Sequence, residues 1–142
     1  MKTGDWTDEE SKMYFLALSL IALSDQVLAD EELKFLEQVR EAMGIDRAEA
    51  ERILAMAKDE PSCVKLLESV RPETLRRTIF RDCVIMAFAD RIFHPLERLM
   101  LESVRMNLGI SEELADRFTQ WAQEGQAWQD KGEQLIHEGA ES

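Results

Sequence analysis

Apolar residues recur at helical steps along almost the whole chain. Thr7-Asp8-Glu9-Glu10 has the S/T-x-x-E spacing of a capping box, which predicts a helix start near Thr7. From Tyr14 to Leu23 the sequence is apolar almost all the way round a helix, as expected of an element buried on every side. A second helix is expected from about Asp30 to Met43, with Leu33, Leu36, Val39 and Arg40 at alternating steps of three and four, closed by Gly44. Asp46-x-x-Glu49 repeats the capping spacing, and Ile53, Leu54, Met56 and Ala57 predict a third helix that stops before Pro61. A short fourth helix, Pro61 to Val70, carries Val64, Leu67 and Val70 on one side. Pro72 opens a fifth, where its missing amide costs nothing, and Ile79, Phe80, Val84, Ile85, Met86 and Phe88 make it mostly buried as far as Ala89. Pro95 to Leu108, closed by Gly109, is the sixth. Ser111 caps a seventh that contains Leu114, Phe118 and Trp121, and after a break near Gly125 the stretch around Trp128, Leu135 and Ile136 is the eighth. No stretch alternates with period two, so no sheet is expected.

The same pattern is spelled twice at an offset of 65 residues. Ala22, Asp25, Glu32, Leu36, Glu37, Val39, Arg40, Gly44 and Ile45 return as Ala87, Asp90, Glu97, Leu101, Glu102, Val104, Arg105, Gly109 and Ile110. The expected architecture is therefore all-α: a compact bundle of about seven to eight helices, built from two tandem four-helix repeats over 7–71 and 72–138 with pseudo-twofold symmetry. The two apolar helices would pack together at its centre. At 142 residues and 45% hydrophobic, the chain fits one domain over 1–142.

Charge narrows the partners. The formal net charge is −12 and is spread over both halves of the chain. Nucleic acid and anionic membrane both need a basic face to displace counterions, so neither is expected as a partner. Cations or basic protein surfaces suit this surface better. Cys63 and Cys83 are too far apart for a CxxC motif and sit in apolar helical patterns, which reads as reduced core thiols in a cytoplasmic protein. The start lacks the apolar core of a signal peptide, and the most apolar run, Met13 to Leu23, is shorter than the ~20 residues a membrane span needs.

Candidate chemistry centres on the acids that recur within each repeat. Asp25 and Glu32, and again Asp90 and Glu97, stand seven residues apart. Each Glu falls near the third position of its helix, where a carboxylate favours the helix dipole and can cap the terminus. Each Asp closes a buried helix at the end where the dipole disfavours negative charge. If the pseudo-axis brings the pairs together, Asp25, Glu32, Asp90 and Glu97 form a four-carboxylate cluster, which needs a cation to offset its own repulsion. An all-oxygen set of this kind suits Ca²⁺, Mg²⁺ or Mn²⁺. His94 could add a nitrogen and favour Zn²⁺ or Mn²⁺. The competing reading has the acids only cap helices and pair with Arg81, Arg91 or Arg98. No EF-hand loop, glycine-rich phosphate loop, H-E-x-x-H motif or nucleophile elbow is present, so no enzyme activity is expected. Tryptophan favours interfaces, but the helical spacing of Trp121 and Trp128 assigns them packing roles.

These residues also carry a resemblance. Ala22-Leu23-Ser24-Asp25, Leu28, Glu32 and Gly44-Ile45 in the first copy, with Ala87-Phe88-Ala89-Asp90, Phe93, Glu97 and Gly109-Ile110 in the second, resemble the TerB-like tellurite-resistance family. That family is related to the N-terminal module of DjlA-type co-chaperones. The resemblance implies an all-helical fold, a stress-associated role, and metal binding through Asp25, Glu32, Asp90 and Glu97. Gln26 and Arg91 depart from it, standing where the family usually has glycine after the Asp. The sequence thus predicts a divalent-cation-binding TerB-like protein, or else a metal-free helical module that contacts another protein. It leaves the oligomeric state open.

Overall fold

The apolar run of residues 14–23 lies at the middle of the molecule, and every one of those ten residues is buried. We describe the fold from a computed structural model that covers residues 6–24, 30–88 and 94–138. Among the described residues the order is α1 (Asp8–Ala22), α2 (Asp30–Met43), α3 (Arg47–Asp59), a 3₁₀ helix (Pro61–Ser69), α4 (Glu73–Phe88), α5 (Pro95–Leu108) and α6 (Glu112–His137), with no strand. None of these helices is long and apolar enough to cross a membrane.

The predicted capping box starts α1. Thr7 Oγ1 accepts from the Glu10 amide at 3.1 Å, and Glu10 Oε1 accepts from the Thr7 amide at 2.9 Å, which satisfies two donors that the helix itself leaves open. From there α1 packs against α2, α3, α4, α5 and the 3₁₀ helix, which is why its sequence has no polar face beyond the first turns. Each fully buried Leu, Ile or Phe in it contributes about 1.5–3 kcal/mol of transfer free energy. Its buried Ser19 is tolerated because the hydroxyl donates to the Phe15 carbonyl at 2.7 Å.

The two most apolar helices, α1 and α4, lie against each other, as the sequence predicts. Their contact includes one buried polar link. The Tyr14 hydroxyl donates to Asp82 Oδ2 at 2.5 Å, and the opposite carboxylate oxygen accepts from Arg81 Nε at 2.8 Å. The Trp6 ring lies on Tyr14, with 5.3 Å between centroids. Unlike α1, α4 has an open side: Ile85, expected in the core, is 44% exposed.

The short helix expected from Pro61 is a 3₁₀ helix; Val64, Leu67 and Val70 recur every three residues, and three residues per turn keeps all three on the buried side. Three further details differ from the sequence reading. Asp46 occupies the cap position of α3 but its side chain makes no cap bond, and Glu49 instead pairs with Arg52 and with Lys12 of α1. Leu33 is exposed on α2, where Leu36 and Val39 face the core. Most consequentially, the break expected near Gly125 does not exist: α6 runs unbroken for 26 residues, so no separate eighth helix follows.

Candidate functional site

Of the four carboxylates singled out in sequence, Asp25 and Asp90 lie outside the described residues. Glu32 and Glu97 are each the third residue of their helices, α2 and α5, as the spacing predicts. Their surroundings differ. Glu97 is 4% exposed whereas Glu32 is half-buried. Both helices pack on α1. His94 caps α5: its Nδ1 accepts from the Leu96 amide at 3.1 Å, which leaves only Nε2 for any other ligand. Arg81, one of the arginines expected to neutralise the acidic turns, has its Nε on Asp82 instead.

A second feature of the repeats is fully described. The sequence Glu-x-x-Arg-x-x-x-Gly-Ile ends both α2 and α5. In each copy the glycine has φ +69°, the left-handed conformation that lets the helix stop in one residue. Arg40 then forks between Glu37, at 3.0 and 2.7 Å, and the Ile45 carbonyl at 2.9 Å. Arg105 does the same between Glu102 and the Ile110 carbonyl, the latter at 2.7 Å. These hydrogen bonds hold the Glu37 and Glu102 carboxyls below their usual pKa and raise the two guanidiniums. The planar five-donor guanidinium suits this double role, binding a carboxylate while closing the helix end.

The widest departure from the sequence reading lies on α6. Ala115 is its one buried residue among those described; Leu114, Phe118 and Ala122 are partly buried against the core, with 6.0 Å between the Phe118 and Phe80 ring centroids. Beyond Asp130 every described residue is exposed. Trp121 and Trp128, assigned packing roles from spacing, are 50% and 78% exposed, and Leu135 and Ile136 are exposed as well. A groove of about 430 Å³ runs between the end of α4 and this helix, lined by Ile85, Phe88, Trp121, Ala122, Gly125, Gln126, Trp128 and Gln129.

Periodicity could have revealed this exposure. Leu114, Trp121, Trp128 and Leu135 recur every seven residues, and between the last three stand Gly125 and Gly132 where a core helix would place further large apolar side chains. The apolar stripe is thus too narrow to bury the helix in a globular core, which needs an arc of about 100° or more. Both glycines also face open space, with no atom within 4 Å of where a Cβ would stand. Within one chain they only weaken the helix, by about 1 kcal/mol each relative to alanine.

Compared with family models, with curated proteins and with solved structures, the chain gives no match.

Proposed function

We propose that this chain is a TerB-like helical module that works by binding another protein through the exposed face of α6. One observation carries the reading: Trp128 is 78% exposed beside a groove that Trp121, Ile85 and Phe88 extend. Covering one such indole is worth about 3–5 kcal/mol, and tryptophans of this kind are the usual energetic anchors of interfaces. The acidic surface and the two free thiols agree with a cytoplasmic, stress-associated setting. The shared helix ends at Gly44 and Gly109 support two tandem units over 7–71 and 72–138, related by a pseudo-twofold axis.

A photo-crosslinking residue in place of Trp128, in cells expressing the full chain, tests this reading. A discrete protein adduct is expected there and not from the same residue placed at exposed Glu68 of the 3₁₀ helix. Equal, diffuse labelling at both positions would sink it.

A second reading is favoured by the burial of Glu97 in the first turn of α5. In this reading Asp25, Glu32, Asp90 and Glu97 hold a divalent cation, Ca²⁺, Mg²⁺, Mn²⁺ or Zn²⁺, through oxygen ligands, which stabilises the fold. Chelator-treated protein is titrated with each ion at fixed ionic strength. An ion that binds the folded state alone adds about 2.7 kcal/mol at a hundredfold excess over its Kd. The Asp25→Asn, Asp90→Asn variant should lose that response; a midpoint that no ion moves beyond a salt control rules the site out.

A further inference from the structure

We infer that the partner of α6 is a second copy of this chain, paired antiparallel through Trp121, Gly125, Trp128, Gly132 and Leu135. The inference rests on the interaction reading above and adds the identity of the partner.

Three observations lead to it. The first is that the face is complementary to itself. Along α6, large residues at 121, 128 and 135 alternate with Phe118 and the two glycines at 118, 125 and 132, in a strict seven-residue repeat. Such a repeat makes a seam that supercoils with a like helix. If Trp128 of one copy lies over Gly125 of the other, the two-fold axis also sets Trp121 over Gly132 and brings Leu135 to the uncovered part of Phe118, whose ring otherwise packs on Phe80 of its own chain. Every layer then joins a large residue to a glycine or closes on an apolar pair. A parallel pairing would instead stack tryptophan on tryptophan and leave the glycine layers empty.

The second observation is that the space for the incoming indole already exists. The open region above Gly125 belongs to the groove whose walls are Ile85, Phe88 and Trp121. Trp128 of the second copy would enter there, covering the side of α4 that its own chain leaves open. Two copies together supply exposed side-chain area from Trp121, Trp128, Leu135 and Ile136 on the order of 1,000 Å², about what a specific interface requires.

The third is charge. Glu124 and Lys131 flank the seam on the same edge, one heptad apart. In the antiparallel register Glu124 of each copy meets Lys131 of the other, two opposite-sign pairs across one interface. In the parallel register Glu124 would face Gln129 and Lys131 would face Ile136 instead, and the pairing would be lost. The net charge of −12 per chain opposes association from a distance, so the dimer should tighten as salt rises.

Sedimentation of the full chain over roughly 1 to 200 µM tests the inference. A monomer–dimer equilibrium is expected, strengthened by salt. Glu124→Lys should weaken it several-fold, and adding Lys131→Glu to the same chain should restore it, a rescue that the parallel pairing does not provide. Gly125→Glu with Gly132→Glu should abolish the dimer without lowering helicity, because both positions face open space in the single chain. A monomer throughout the range overturns self-pairing, as does a dimer indifferent to these changes. A monomer that still gives a crosslinked adduct to a different protein at Trp128 overturns self-pairing alone and leaves the interaction reading standing.

Discussion

The Tyr14 hydroxyl of α1 donates to Asp82 of α4 across 68 residues of sequence, a buried side-chain to side-chain hydrogen bond that ties the two most apolar helices together. Removing the hydroxyl leaves a buried carboxylate with its bond to Arg81 but without its partner on α1. Tyr14→Phe should therefore cost about 1–3 kcal/mol in urea unfolding with an unchanged m-value. A cost near zero would mean that water replaces the hydroxyl.

The same bond sets an alkaline limit. Burial first, and donation to Asp82 second, push the Tyr14 phenol far above its ordinary value of 10.0. A raised folded-state pKa means that the fold favours the neutral phenol. Its contribution is complete below pH 10 and is lost as pH rises from there toward the folded value, by about 1.4 kcal/mol per pH unit. The thermal midpoint of the parent chain should fall above pH 10 more steeply than that of Tyr14→Phe. Parallel curves would show that the phenol is not the responsible group.

The two helix-closing glycines should not tolerate alanine equally. Both have φ +69°, so each alanine pays about 1–2 kcal/mol of left-handed strain. At Gly44 a new Cβ meets nothing within 4 Å, but at Gly109 it comes within 3.1 Å of Arg76 Nη1, which also donates to the Leu108 carbonyl at 3.2 Å. Gly109→Ala should be the more destabilising by chemical denaturation. Equal losses would show that the Arg76 side chain moves aside freely.

Cap substitutions should follow the observed bonds and not the sequence motif. Ser111 accepts from the Leu114 amide at 3.1 Å, whereas the Asp46 side chain makes no such bond. Ser111→Ala should cost about 1 kcal/mol and Asp46→Ala distinctly less. The reverse order in thermal unfolding would contradict the cap assignment.

The cysteines should separate by accessibility. Burial pushes both thiols up, and Cys83 is buried outright while Cys63 is half-buried with its sulfur 3.9 Å from the Met56 carbonyl. A thiol reagent near neutral pH should label Cys63 slowly and Cys83 only at the rate of global unfolding. Rapid labelling of both would show that α4 opens locally.

Most of what depends on neighbours a few residues away was legible in the sequence, with the Asp46 cap and the continuity of α6 through Gly125 as exceptions. Helix starts at Thr7 and Ser111, the stop at Gly109 and the buried run of residues 14–23 were all legible, because caps, left-handed glycines and apolar periodicity act within one or two turns. The repeat was legible for the same reason: Glu37 and Arg40, like Glu102 and Arg105, are one helical turn apart. Tertiary structure alone decided which apolar faces find a neighbour. Trp121, Trp128 and Ile85 have the composition of core residues, and whether each is covered depends on how far α6 continues past α4. Gly125 looked like a breaking point, yet a glycine in a helix costs only about 1 kcal/mol, too little to end a helix whose flanking turns are favourable. The Tyr14–Asp82 bond was likewise out of reach of the sequence, since nothing local to either residue specifies a partner 68 positions away.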